Sequence, residues 1–126
     1  MSWQGYVDTN LVGTGNVTAA AILGLKGGVW ASSAGFTITP QEQQAIVSGF
    51  DDPSPLQAGG IHAGGKKYFT LSANPRSIYG KQGAGGIILV KTAQAVLVGQ
   101  YNSPIVPGQA TKVVEGLADY LIQSGF

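Results

Sequence analysis

Few side chains in this chain could act on a substrate. His62 is the lone histidine and cysteine is absent. Nucleophilic catalysis needs a base within reach of the nucleophile, and no Gly-x-Ser-x-Gly turn presents a serine to His62. Asp51 and Asp52 are adjacent rather than spaced as an acid and base pair, and they suit a turn after a helix. One histidine, no thiolate and scattered carboxylates do not make a metal site. The cluster Gly83-Ala84-Gly85-Gly86 lacks the lysine and hydroxyl of a phosphate loop, and it leads into Ile87-Ile88-Leu89-Val90. That run reads as a strand, whereas phosphate loops feed a helix N-terminus. The expectation is a protein that is not an enzyme, with no catalytic residue, no metal and no cofactor.

Binding chemistry is better represented. Trp3 and Tyr6 lie one helical turn apart, Trp30 follows a Gly-Gly turn, and Tyr120 and Phe126 fall at the end of the chain. Should helices from the two chain ends pack side by side across Trp30, these rings would share one surface. Flat aromatic faces with phenol and indole donors suit a polyproline II segment, whose rings fill grooves and whose carbonyls lack internal partners. Aromatics at helical spacing also fill cores, and the spacing alone leaves both readings open. The binding reading requires Trp3 and Phe126 on the same side of the molecule.

A second feature is electrostatic. The formal charge is only +1, yet no acid occurs between Asp52 and Glu115. That stretch holds Lys66, Lys67, Arg76, Lys81, Lys91 and Lys112. If it folds as one region of sheet, one side of the molecule is expected to be positive, as an acidic protein partner or anionic headgroups require. A solvated face without a ligand gives the same pattern.

The elements that would position these groups are readable from periodicity. Trp3, Tyr6, Val7, Asn10 and Leu11 follow helical spacing within 2–12. Two apolar runs, 18–25 and 29–33, flank Gly27-Gly28 as a hairpin, and the alanines of the first leave room for helices to pack closely. Thr39-Pro40-Gln41-Glu42 is a capping box with proline at the first helical position, and the helix should stop near Gly49-Phe50. Asp51 to Pro55 reads as a turn. Strands are expected at 61–63, 67–71, 77–79, 87–91 and 95–98, joined by links too short for parallel crossovers. A last helix over 107–124 carries an apolar stripe of Ala110, Val113, Val114, Leu117, Ala118 and Leu121, with Gly125 as its cap.

With 126 residues the chain is expected to form a single domain over 1–126. The fold class is α+β: a central antiparallel sheet with the N- and C-terminal helices on one face and a shorter helix on the other. Charged residues make up only 10%, well below the usual quarter, so apolar and small neutral groups must face water, which favours a binding protein. The start Met1-Ser2-Trp3-Gln4 lacks the basic and apolar regions of a secretory leader, and no apolar run is long enough to cross a membrane. Asn16-Val17-Thr18 matches a glycosylation sequon that a cytosolic chain has no use for. The expected location is the cytoplasm.

Four segments carry a family resemblance: Met1-Ser-Trp-Gln-Gly-Tyr-Val-Asp8, Val29-Trp30-Ala-Ser, Arg76-Ser-Ile-Tyr-Gly-Lys81 and Leu117-Ala-Asp-Tyr-Leu-Ile122. In order and spacing, over essentially the whole chain, they resemble the short profilins of single-celled eukaryotes and fungi. The resemblance implies a monomeric cytoskeletal protein that binds monomeric actin, regulates its polymerisation and nucleotide exchange, and grips proline-rich segments of partners such as formin-type nucleators. It also implies phosphoinositide headgroups as ligands of overlapping basic residues, and no nucleic acid. Matched position by position, the poly-proline site falls on Trp3, Tyr6, Trp30, Tyr120 and Phe126. The actin surface falls on Lys67, Thr70, Ser72, Arg76, Tyr79, Lys81, Thr111, Lys112 and Glu115.

The chain departs from the family pattern in two places. Many relatives end in tyrosine where this chain has Phe126, which removes a terminal hydroxyl contact. Short profilins usually read Leu-Arg-Ala-Asp-Asp-Arg where this chain reads Leu71-Ser72-Ala73-Asn74-Pro75-Arg76. Loss of one charge-assisted bond costs roughly 1.5–3 kcal/mol, about tenfold to a hundredfold in affinity. The alternative expectation is therefore a profilin-like adaptor with weakened actin binding that works mainly through proline-rich or phosphoinositide ligands.

Overall fold

The computed structural model describes residues 2–126. Its N-terminal helix, α1, starts as an α-helical turn at Trp3–Gly5, widens to a π-helix at Tyr6–Leu11 and tightens to a 3₁₀ turn at Val12–Thr14. The Ser2 hydroxyl caps it by accepting from the Gly5 N–H at 3.0 Å. Val7 and Leu11, four apart, are fully buried against the sheet. Helical periodicity anticipated this segment but not its wide middle turns.

Among the described residues there follow β1 (Ala19–Gly24), β2 (Val29–Ser32), α2 (Pro40–Gly49), α3 (Ser54–Gly59), β3 (Ile61–Ala63), β4 (Lys66–Ala73), β5 (Ser77–Gln82), β6 (Gly85–Lys91), β7 (Ala95–Tyr101) and α4 (Pro107–Gln123). The strands form one antiparallel sheet in the order β2-β1-β7-β6-β5-β4-β3. The expected capping box opens α2: Thr39 Oγ1 accepts from the Glu42 N–H, and Glu42 Oε1 accepts from the Thr39 N–H at 2.9 Å.

The segment read as a plain turn, Asp51 to Pro55, runs straight into α3. Asp52 Oδ1 accepts from the Ser54 N–H at 3.1 Å and closes the turn, while Pro55 sits in the first helical turn, where its missing N–H costs nothing. Only Leu56 of α3 is buried, so six residues carry too little periodicity to reveal the helix.

Alternation along the strands sorts the core into two layers. Ala20, Ile22, Ile88, Val90, Leu97 and Tyr101 face α1 and α4, and Ala21, Leu23, Ile87, Leu89, Val96 and Val98 face α2 and α3. The fold is thus α+β with both terminal helices on one face, as the sequence implies. The helix α4 can lie close because β7 has Gly99 beneath it: a Cβ there would stand 2.5 Å from Val114 Cγ2.

Candidate functional site: an aromatic groove and a sheet-edge surface

The five aromatic residues singled out from the sequence come together. The ring centroid of Trp3 lies 4.8 Å from Trp30, 5.7 Å from Tyr6 and 5.4 Å from Phe126, the last edge-on at 89°. Tyr6 in turn lies 6.3 Å from Tyr120. Such spacings are those of favourable tilted and edge-to-face pairs. The rings are only partly covered: Trp30, Tyr120 and Phe126 are 38%, 54% and 42% exposed. They form the floor and walls of a groove between α1 and α4 rather than a core.

Each ring has an identifiable support. The Gln4 side chain of α1 donates to the Ser32 carbonyl of β2 at 2.8 Å, which holds Trp3 beside the hairpin. Trp30 occupies a β-bulge, since Ile22 pairs with Ala31 but the next residue, Leu23, pairs with Val29. The extra residue breaks the strict alternation and aims the indole at Trp3. At the other end Gly125, with φ +91°, takes the left-handed turn that ends α4, and the Phe126 N–H donates to the Leu121 carbonyl at 2.8 Å. The Phe126 carbonyl accepts from the Gln94 N–H at 2.7 Å and from Thr92 Oγ1 at 2.8 Å. The turn between β6 and β7 therefore clamps the chain at its last ring. Thr92 is almost fully buried, and nothing in the sequence pattern singled it out.

The groove is weakly polar. Partial desolvation, then a hydrogen bond and the charge of Tyr120, push the Tyr6 phenol above its ordinary 10.0. The Tyr6 phenol therefore stays a neutral donor at physiological pH. The arrangement can stack flat rings and donate to carbonyls.

The second set of residues lies at the margin of α4, partly on β4 and β5 where the sheet face is uncovered and partly on α4 itself, which supplies Thr111, Lys112 and Glu115. Phe69 of β4 pairs with Lys81 of β5, and Ser72 pairs with Tyr79. Lys67 Nζ stands 5.6 Å from the Phe69 ring centre, a cation–π distance. Arg76, Tyr79 and Glu115 converge: Arg76 Nη2 meets Glu115 Oε1 at 3.3 Å and Asp119 Oδ1 at 2.5 Å, and Glu115 Oε2 accepts from Ser77 Oγ at 2.8 Å and from the Tyr79 phenol. Asp119 first, then Glu115, hold the guanidinium above its ordinary range. Burial first, and Glu115 second, raise the Tyr79 phenol.

Two expectations need correction here. Arg76 does not add a free charge to a positive face, because Glu115 and Asp119, 39 and 43 residues away in sequence, cross from α4 to neutralise it. An acid-free stretch of sequence is not an acid-free region of space. Thr70 does not stand with the others either: its hydroxyl donates to the Leu56 carbonyl of α3 at 2.7 Å, which puts it on the opposite sheet face. Thr111 Oγ1 bonds back along α4, donating to the Pro107 carbonyl at 2.9 Å, and Lys112 is exposed.

Two large apolar side chains went unnoticed in the sequence. Phe69 and Leu71 are 69% and 64% exposed. Leu71 is the extra residue of a second bulge, between Thr70 and Ser72, so it leaves the alternation that would have buried it. The signal was present in the low charge, which requires apolar groups on the surface, but did not say which. Asn74 and Pro75, the departures noted above, build the β4–β5 turn: Asn74 Oδ1 accepts from the N–H groups of Arg76 and Ser77 at 2.9 and 2.8 Å. His62 lies exposed on β3, opposite Lys67. Among the described residues no group of His, Cys, Asp or Glu gathers that could hold a metal ion, and no helix is long and apolar enough to cross a membrane.

Comparison with known proteins defines the class. The family model described as Profilin matches residues 1–126. Profilin-1A of Acanthamoeba castellanii is 59% identical over 126 residues, covering all of both chains. The solved structure of Acanthamoeba castellanii profilin IB superposes with a TM-score of 0.97 at 58% identity, covering 99% of this chain and 100% of that one. Mouse profilin IIa, solved in complex with a double repeat from the FH1 domain of mDia1, superposes with a TM-score of 0.83 at 25% identity, with both chains fully covered. The chain belongs to the profilin family.

Proposed function

We propose that this chain is an actin-monomer-binding profilin that regulates actin polymerisation and nucleotide exchange, and that it holds proline-rich segments of actin nucleators in the groove of Trp3, Tyr6, Trp30, Tyr120 and Phe126. It works as one cytoplasmic domain over residues 1–126, as a monomer, and catalyses no covalent step. The observation that carries the reading is the exposed contiguity of those rings. A protein that merely packed them would cover them, whereas three are more than a third open to water. A mouse relative was solved with a proline-rich FH1 repeat, which supports the same class of ligand. Titrating decaproline while following the fluorescence of Trp3 and Trp30 tests it. A saturable change is expected, and a flat signal at millimolar peptide overturns the groove reading.

The actin contact is assigned to the open sheet edge and the adjoining start of α4: Lys67, Phe69, Leu71, Ser72, Arg76, Tyr79, Lys81, Thr111, Lys112 and Glu115, with Thr70, turned to the other face, acting through the backbone it braces. Lys67 and Lys81 beside exposed apolar groups also suit phosphoinositide headgroups. One observation favours a second reading, weakened actin binding. Ser72 offers no charge opposite Tyr79, and the nearby guanidinium is already held by two carboxylates. Polymerisation of pyrene-labelled actin with rising amounts of the protein separates the two. Strong sequestration of monomers excludes the second reading, and its absence excludes the first.

A further inference from the structure

Away from both candidate surfaces, the α2–α3 layer ends in a cavity of about 280 Å³. Its walls are the start of β1, the end of β7, the β3–β4 hairpin and the link from β2 to α2. Strands β1 and β4 stand four places apart in the sheet order, so only the curl of the sheet makes them facing walls. Ala19, Ala63 and Phe36 give the lining a small, apolar character.

Two polar groups on these walls lack partners. Tyr68 is 1% exposed, and its hydroxyl finds no hydrogen-bond partner among the described residues. Buried hydroxyls in native folds are nearly always paired, because an unpaired one forfeits its hydration. Gln100 is 6% exposed, and its Nε2 donates to the Tyr101 carbonyl and to Asn102 Oδ1. A carbonyl can only accept, so the amide orientation is settled and Oε1 is the free atom. A phenol donor and an amide acceptor thus share one apolar cavity.

Charge there favours neither sign. Burial first, and the charge of Glu42 second, raise the Tyr68 phenol and keep it a donor. Lys66, exposed on the rim, carries the opposite sign.

We propose that this cavity binds a small uncharged molecule with a ring-sized apolar body and one hydroxyl head. The head accepts from the Tyr68 hydroxyl and donates to Gln100 Oε1, while the body lies against Phe36 and the two alanines. A single hydroxyl answers both groups. A carboxylate cannot donate, an ammonium cannot accept, and an apolar molecule does neither. An apolar cavity of about 150 Å³ takes benzene, so this one has room for a ring with a short arm. The Tyr68 hydroxyl lies just beneath the wall, and the exposed Ala34-Gly35 turn on the rim yields slightly as the head enters. The inference is independent of the groove and of the sheet edge.

Benzyl alcohol is the probe, followed through the backbone amide NMR shifts of the isotope-labelled full chain. A saturable response centred on Gly35, Gly64 and Lys66 is expected. Toluene lacks the head and benzoate cannot donate, so each should bind at least about fivefold more weakly. Tyr68→Phe should bring benzyl alcohol down to the level of toluene while amides remote from the cavity keep their shifts, which certifies the fold. A response centred elsewhere, one no stronger than that of toluene, or one that survives Tyr68→Phe overturns the proposal. So does silence from every probe, which would assign the cavity to water alone.

Discussion

Trp3 touches more of the groove than any other ring, with Tyr6, Trp30 and Phe126 all against it. A central, partly desolvated tryptophan is the usual seat of a binding hot spot. Trp3→Ala is therefore expected to weaken decaproline binding by about 2 kcal/mol or more, roughly thirtyfold, in a titration followed through Trp30. At the sheet edge the decisive residue is Ser72. It lies opposite Tyr79, whose phenol already points at Glu115, so an arginine at 72 would enter a surface with a carboxylate in place. Ser72→Arg is expected to tighten actin-monomer binding by roughly 1.5–3 kcal/mol, about tenfold to a hundredfold, in a sedimentation or fluorescence assay. An unchanged affinity would mean that this position lies outside the actin contact.

Elements rather than residues decide where the last ring stands. The β6–β7 turn lends Thr92 Oγ1 and the Gln94 N–H to the Phe126 carbonyl, and α4 ends on Gly125 so that the chain can reach them. Thr92 Oγ1 also accepts from the buried Ala95 N–H at 3.1 Å, so the same hydroxyl shapes the turn and anchors the ring. Thr92→Val keeps the shape but removes both bonds. It should cost about 1–2 kcal/mol in denaturant unfolding and about fivefold in decaproline affinity, with actin binding untouched, and Thr92→Ser should restore both. Equal losses at the two ligands would mean general loosening instead. The clamp also marks a limit of what the sequence could reveal. Capping boxes, hairpin turns and helical stripes are local signals, and α2, the β1–β2 hairpin and α4 were legible for that reason. Trp30 and Leu71 owe their exposure to bulges, which are set by strand register, and α3 buries too little to leave a pattern. The five rings were recoverable from types and helical spacing plus a resemblance. The Arg76–Glu115–Asp119 link and the Thr92 anchor were not, because each joins elements whose relative placement only the folded sheet decides.

The whole molecule is a sheet between two apolar layers, and each layer carries a phenol whose ionisation the fold opposes. Tyr68 belongs to the α2–α3 layer, where burial first and the charge of Glu42 second raise it above 10.0. Tyr101 belongs to the α1–α4 layer and is raised by burial, and Tyr79 at its margin is raised by burial and Glu115. A raised phenol means that the native state holds its proton more tightly than the unfolded chain does. Stability from these groups is fully present below about pH 10, where the unfolded phenols are still protonated, and drains away as pH climbs through the higher native values. Unfolding free energy from urea titrations should therefore be insensitive to these groups near neutrality and fall above about pH 10. Tyr68→Phe removes one of the titrating groups from the layer remote from both candidate ligand surfaces. The difference in stability between the parent and this variant should be constant up to about pH 10 and shift against the parent beyond it. A difference that stayed constant across that range would show that the Tyr68 proton is held no more tightly in the fold than out of it.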